Sequence, residues 1–166
     1  MAKRDLLWAP LGEGGLILAV AAIGWATKQP LIFASLGPTA YELVEQPQLR
    51  SARPYNIIVG HVVGIACAFF ALFVLKAWGA PNVLATGIVA PERLWAVTIA
   101  AALTTLITLL LKAGQPAAVA TTLLIALGSM QTSRDALAIL VGVLIVTAIG
   151  VPLRRLRLER SKASSA

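Results

Sequence analysis

The chain has 166 residues, of which 58% are hydrophobic and only 13% charged, and its mean hydropathy is +0.84. A soluble domain carries roughly 25% charged residues, so the composition excludes an ordinary soluble fold and predicts one domain of membrane helices. The net charge of +7 is concentrated in a basic tail after the last apolar run, with no folded basic domain or aromatic interleaving, which excludes a nucleic-acid surface.

The first half of the chain contains three apolar segments of unequal length. Residues 11–27 form a span candidate of about 17 residues, which is short for a hydrocarbon core of roughly 30 Å. Residues 31–44 are apolar over only about 14 residues and are split by Gly37-Pro38, which is typical of an interrupted or re-entrant segment. After a polar linker, residues 56–75 form an uninterrupted span.

The second half repeats this order of segments. Residues 94–111 predict a span, residues 112–127 contain a second break at Pro116, and residues 136–153 predict the last span. The two breaks, at 35–40 and 113–118, superpose at a constant offset of 78 residues. In membrane proteins, paired broken segments in corresponding halves point to a substrate site.

These segments predict an all-α polytopic membrane protein, with four full transmembrane helices and two short Pro-interrupted segments arranged as an internal two-fold repeat. We expect a single transmembrane domain over residues 1–153, with repeat halves at about 11–75 and 94–153, and a basic, disordered tail over 154–166. The distribution of Lys and Arg between the two sides of the membrane predicts cytoplasmic termini in a bacterial inner membrane. This holds whether the short segments cross the membrane or turn back. Crossing gives an inverted repeat, and turning back gives a parallel one.

Both breaks contain residues that favour the start of a half-helix. Proline is preferred at the first helical position, so Pro38 and Pro116 are each expected to open one, with Gln115 as a capping side chain. Two helix N-termini that meet near the membrane midplane would bind an anion through their unpaired N–H groups and positive dipole ends. The alternative is that both prolines only kink spanning helices. The candidate substrate-binding residues of the breaks are Ser35, Gly37, Pro38, Thr39, Gly114, Gln115, Pro116 and Thr121.

Two further substrate-binding candidates belong to the second span and its start. Arg53 would attract an entering anion through its planar guanidinium, and the alternative is that it reaches the lipid headgroups. His61 lies inside the span, where an ionisable residue is a candidate for substrate contact or proton linkage. The alternative is a neutral His bonded to a neighbouring helix. With one His and one Cys in the chain, we expect no metal, no cofactor and no catalytic residue.

Three stretches resemble the HPP family of small integral membrane proteins. Residues 51–61 (Ser-Ala-Arg-Pro-Tyr-Asn-Ile-Ile-Val-Gly-His) are similar to the family's Pro-Arg-Asn…Gly-Gly-His pattern, with Arg53 and Pro54 in reverse order and Val59 in place of the first Gly. Residues 33–40 are similar to the family's small-residue stretch after the first span. The His-Pro-Pro motif falls on residues 114–116, which retain its last Pro. The resemblance implies a membrane fold and transport, since some plastid and cyanobacterial members are nitrite transporters.

The sequence therefore favours a transporter or channel for a small inorganic anion such as nitrite, and not an enzyme. The alternative is a function of another class. The protein would then be a non-transporting accessory or structural subunit that packs against a partner through helix faces with regularly spaced glycines. The expected partners are the anion, anionic lipids at the basic tail, and further copies of the chain, because so short a chain encloses little pore alone.

Overall fold

A computed structural model describes the backbone of residues 3–163 and the side chains of residues 7–160. Within these ranges the chain forms seven α-helices, one 3-10 turn and no strand. The helices are α1 (Lys3–Thr27), α2 (Leu36–Val44), α3 (Pro54–Val74), α4 (Val83–Thr86), α5 (Pro91–Leu110), α6 (Pro116–Ala126) and α7 (Ser133–Ala163), and the 3-10 turn is Ala77–Gly79.

Four of these helices are long and apolar enough to cross a membrane. They are α1, α3, α5 and α7, with apolar stretches of 20 to 28 residues, and a helix of about 20 residues is 30 Å long. The prediction of an all-α fold with four long apolar helices is confirmed, and α2 and α6 fall on the two segments predicted to be short. The nine residues of α2 and the 11 of α6 are too few to cross the hydrocarbon core alone.

Each short helix packs between two long ones. α2 contacts α1 and α7, whereas α6 contacts α3 and α5. The two groups of three helices meet where α3 packs on α7 and where α2 touches α6. The short helices are therefore enclosed by the long ones on two sides, and the contact between them lies inside the bundle.

Contacts at the helix ends fix the direction of α1 and α7. Arg160, near the end of α7, lies over the ring of Trp8 near the start of α1, 4.8 Å from its centroid. At the opposite side, the Arg134 guanidinium at the start of α7 donates to Gln29 Oε1, just beyond the end of α1, at 3.3 Å. The two helices therefore run antiparallel.

α3 runs antiparallel to both α7 and α5. Arg53, directly before α3, is close enough to Arg154 of α7 for their charges to interact. The Tyr55 hydroxyl donates to the Leu111 carbonyl at the end of α5, at 3.1 Å. We call this side of the molecule the Arg53 end, and it carries the starts of α1 and α3 and the ends of α5 and α7. The opposite side is the Arg93 end.

Arg93, in the first turn of α5, is only 1% exposed yet fully hydrogen-bonded. Its guanidinium donates to the Ala80 carbonyl at 2.7 Å, and to the Pro81 and Ala126 carbonyls at 3.1 Å each. With its amide oriented to match its donors, Gln131 accepts from Nη1 at 2.8 Å and from Nη2 at 3.2 Å. The positive charge therefore lies at the C-terminus of α6, where the helix dipole favours a cation.

Two long helices extend beyond the predicted spans. α1 begins at Lys3 and continues through Pro10, well before residue 11. Residues 154–163, which we expected to be a disordered tail, instead continue α7 to Ala163, and residues 164–166 lie outside the described residues. The stretch contains no Gly or Pro, its Arg, Leu and Glu residues are good helix formers, and basic side chains are favourable near a helix C-terminus.

Candidate functional site

α6 begins as the sequence predicts. Pro116 occupies its first turn, and Gln115, with an extended backbone, is the residue before the helix. Gln115 Oε1 accepts from the Ala117 N–H at 3.4 Å, which satisfies one of the free N–H groups of the first turn. The predicted opening of a short helix at Pro116, with Gln115 as its cap, is confirmed.

The backbone that leads into α6 is held by the start of α3. Asn56 donates from Nδ2 to the carbonyls of Lys112, at 3.3 Å, and Gly114, at 3.2 Å. Lys112 follows α5 in the left-handed conformation, with φ of 53°, and so reverses the chain toward α6. Asn56 is the third residue of α3, so this break lies just inside the Arg53 end.

Two glycines of α3 let α6 approach closely. A Cβ on Gly60 would lie 2.9 Å from the Cβ of Gln115, and a Cβ on Gly64 would lie 2.7 Å from the Ala118 carbonyl oxygen. Side chains do not approach this closely, so the contact depends on small residues, as membrane helix packing commonly does. Gly64 lies midway along α3, so α6 reaches the middle of the bundle.

α2 departs from the predicted half-helix. It begins at Leu36, two residues before Pro38, and the preceding Ser35 has helical backbone angles and no side-chain cap. The Ser35 hydroxyl instead shares a hydrogen bond of 2.5 Å with the Thr121 hydroxyl of α6. Pro38 is tolerated because N–H groups in the first turn of a helix have no partner within the helix.

The two short helices lie side by side and antiparallel. Ser35, at the start of α2, meets Thr121 in the middle of α6, whereas Glu42, near the end of α2, lies beside Gln115 at the start of α6. The expectation that the two N-termini meet is therefore wrong. They are offset by six positions, from Gln115 to Thr121, which is about 9 Å of helix. We call this contact the α2–α6 seam.

Glu42 is a buried residue that sequence reasoning did not select. Its side chain is 8% exposed and lies beside the side chains of Ser51 and Gln115. Neither Glu42 Oε2 nor Gln115 Nε2 makes a hydrogen bond within the described residues. The sequence signal was present, because Ser35, Thr39 and Glu42 recur at i, i+4 and i+7 on a short apolar segment, which places them on one helical face.

The two candidates from the α3 region lie in different environments. His61 is fully buried, and its Nδ1 donates to the Ile57 carbonyl of the same helix at 2.7 Å, a tautomer assigned from that contact. Its Nε2 makes no hydrogen bond within the described part of the chain. Arg53 is exposed before α3, at the same end of the molecule as Gln115 but outside the α2–α6 seam.

Of the other candidates, two glycines have free space beside them and two threonines have hydrogen-bonded hydroxyls. A Cβ on Gly37 or on Gly114 would meet nothing within 4 Å, so there is free space beside each break. Thr39 and Thr121 are buried, and each donates to the carbonyl one turn earlier in the chain, at 3.0 and 3.4 Å. These hydroxyls make the seam polar, but their protons are used inside the protein.

Comparison with known proteins assigns the family. The family model for HPP, transmembrane region, matches residues 1–163. The chain belongs to the HPP family. This HPP protein is therefore an integral membrane protein, and the resemblance to this family is confirmed. No curated protein and no solved structure matches the chain. Among the described side chains of this HPP protein, no group of three His, Cys, Asp or Glu residues could hold a metal ion.

Proposed function

We propose that this HPP protein moves a small inorganic anion, with nitrite as the first candidate, along the α2–α6 seam. One observation carries the proposal. The amide Nε2 of Gln115 is a hydrogen-bond donor on a side chain that is 3% exposed, and it has no acceptor among the described residues. A buried donor without a partner is unfavourable, and the N-terminus of α6 adds a positive dipole end, so the position favours an anion.

The surroundings of Gln115 supply an approach and a gate. Arg53 and Arg154 place two positive charges at the same end of the molecule, which raises the local concentration of anions. Further into the bundle, the hydrogen bond between Ser35 and Thr121 closes the seam. We propose that this contact separates when an anion passes toward the Arg93 end.

An inverted two-fold repeat is part of the proposal, and three features of the fold support it. Equivalent long helices run in opposite directions, α1 against α5 and α3 against α7. α2 packs between α1 and α7 as α6 packs between α5 and α3. Each short helix also follows a long helix that ends at a left-handed lysine, Lys28 or Lys112. Inverted repeats commonly carry a substrate site at their interface, and the seam lies there.

The distribution of positive charge supports one orientation in the membrane, and the exposed side of α2 supports association of several chains. Ten of the 14 Lys and Arg residues fall at the Arg53 end by their position in the chain, so this end, with both termini, is the cytoplasmic one in a bacterial inner membrane. We propose further that copies of the chain associate, because α2 leaves Pro38 and Tyr41 exposed on its outer side, where a short helix needs protein cover.

Flux through purified protein in liposomes tests the transport proposal. Inward gradients of nitrite, nitrate or chloride would be applied with the membrane potential clamped by valinomycin and K⁺, and the anion inside would be assayed over time. We expect nitrite entry above that of protein-free vesicles, and a loss of about tenfold or more in Gln115→Ala, since a hydrogen bond to a charged group contributes about 1.5–3 kcal/mol. Gln48→Ala, in the exposed linker, is the matched control. Equal entry of all three anions with and without protein would refute the proposal.

A further inference from the structure

We propose that Glu42 is a proton-binding carboxyl that competes with the anion for Gln115 and the N-terminus of α6, so that each anion enters with one proton. This inference rests on the proposed anion pathway and specifies how that pathway is controlled. No residue of α2 beyond the break itself entered the site predicted from sequence.

Glu42 lies where its carboxylate can compete with an entering anion. A carboxylate is itself an anion, and Glu42 holds it beside Gln115, the capping residue of α6. Glu42 Oε2 is an acceptor without a donor, and Gln115 Nε2 is a donor without an acceptor. A small turn of either side chain would join the two atoms, which would occupy the group that we propose binds the transported anion.

The side chains around Glu42 leave its charge without an ion pair. The side chains beside it, Ser51 and Gln115, are both neutral. Among the described side chains of the helices packed against α2, α6 has no charged residue and α1 has Glu13. The C-terminal part of α7 has Arg154, Arg155, Arg157, Glu159 and Arg160. Glu45 follows on the same segment as Glu42, and Arg50 and Arg53 lie on either side of Ser51. No ion pair to Glu42 exists among the described residues, and a buried carboxylate without a counter-charge is costly.

The consequence is a linkage between anion and proton. An entering anion meets a like charge as long as Glu42 is ionised, and it meets a neutral group once Glu42 has taken up a proton. Protonation therefore favours anion binding, and by reciprocity anion binding favours protonation. No bond is made or broken apart from the transfer of one proton from water to the carboxyl.

Anion-linked proton uptake is the direct test, and it needs no transport. Purified protein in weakly buffered detergent would be mixed with sodium nitrite at a series of mildly acidic to neutral pH values, and a pH-indicator dye would report proton uptake. We expect uptake approaching about one proton per chain in the wild type and none in Glu42→Gln, whose nitrite affinity should no longer depend on pH. Glu92→Gln, an exposed carboxyl in the first turn of α5, should behave as wild type.

A flux arm separates the two proposals. In liposomes, wild-type nitrite entry above the protein-free leak should rise as the pH falls, and entry through Glu42→Gln should be flat across the same range. Undiminished proton uptake in Glu42→Gln, with loss of uptake in Glu45→Gln or His61→Gln instead, would overturn the role of Glu42 while transport stands. A wild type that neither binds nor moves nitrite, nitrate or chloride would overturn both proposals.

Discussion

A buried ionisable side chain lies at each end of α6, and the two side chains differ in how completely they are hydrogen-bonded. At its C-terminus, Arg93 is 1% exposed, and the carbonyls and the Gln131 amide around it take up its donors. At its N-terminus, Glu42 is 8% exposed, and its Oε2 faces no donor that bonds it. Each side chain has the sign of charge that the adjacent helix terminus favours, yet only Arg93 is saturated with partners.

This difference in hydrogen bonding indicates which of the two side chains stabilises the fold and which is a candidate for function. Buried polar groups are nearly always hydrogen-bonded, so a saturated group such as Arg93 is explained by the fold alone. An unsatisfied group within a membrane bundle is unfavourable for stability and is by default a candidate for function. The contrast predicts that changes at the Arg93 end destabilise the protein, whereas changes at Glu42 alter ion movement and leave the fold intact.

Removing Arg93 should have the largest effect. Arg93→Met leaves the carbonyls of Ala80, Pro81 and Ala126 without their donors, and each unsatisfied buried group costs about 1–3 kcal/mol. We expect little folded protein in a size-exclusion profile from detergent. Arg134→Met, which removes an exposed arginine with one side-chain partner, is the control. A variant that elutes and melts like the wild type would contradict the structural role of Arg93.

The closeness of α6 to α3 should be the next most sensitive feature. Gly64→Ala places a Cβ 2.7 Å from the Ala118 carbonyl oxygen and 2.8 Å from Thr122 Oγ1, so α6 must move. Overpacking of this kind costs about 1–3 kcal/mol, and the thermal unfolding midpoint should fall. Gly14→Ala, where a Cβ meets nothing within 4 Å, controls for helix propensity. An equal midpoint for both variants would mean that α6 is not held against α3.

The hydroxyl contact in the seam should contribute less. Thr121→Val removes the partner of Ser35 and keeps the side-chain shape, so we expect a loss of about 1 kcal/mol in unfolding free energy. Thr98→Val, which removes an exposed hydroxyl bonded to its own helix, should change stability by less. Thermal melts of both proteins in the same detergent measure the difference, and a larger loss in Thr98→Val would argue against the contact.

Neutralising Glu42 should have the smallest effect on stability. Glu42→Gln keeps the shape and removes a buried negative charge that lacks an ion pair, so the unfolding free energy at neutral pH should stay equal or rise by about 1 kcal/mol. Glu92→Gln provides the exposed comparison. If Glu42→Gln unfolded as readily as Arg93→Met, both ends of α6 would be structural and the contrast between them would disappear.

The sequence predicted the positions of the helices along the chain better than the contacts between them. Pro116 and Gln115 marked the start of α6 because proline and a capping side chain act locally. Ser35 and Pro38 misplaced the start of α2, because the Ser35 hydroxyl bonds Thr121, 86 residues away, rather than its own helix. The basic stretch after residue 153 was expected to be disordered, although nothing in it breaks a helix.

The site was predicted only in part, for the same reason. Local rules identified Gln115 and the N-terminus of α6, but the antiparallel overlap of α2 with α6 is a tertiary feature, and it is what brings Glu42 to Gln115. The burial of Arg93 likewise depends on the loop at 80–81 and on the end of α6 meeting in space. The spacing of Ser35, Thr39 and Glu42 places them on one helical face, but it does not show which residues of α6 that face contacts.

Locking the seam tests most directly whether ions pass between α2 and α6. In a Cys67→Ala background, Ser35→Cys and Thr121→Cys would be combined, because the native hydroxyl oxygens are 2.5 Å apart and a disulfide fits two side chains that close. If anions pass along the seam, nitrite flux in liposomes stops when this variant is oxidised and returns on reduction, whereas the flux through each single-cysteine variant is unchanged by the oxidant. Undiminished flux through the fully oxidised double variant would contradict passage along the seam.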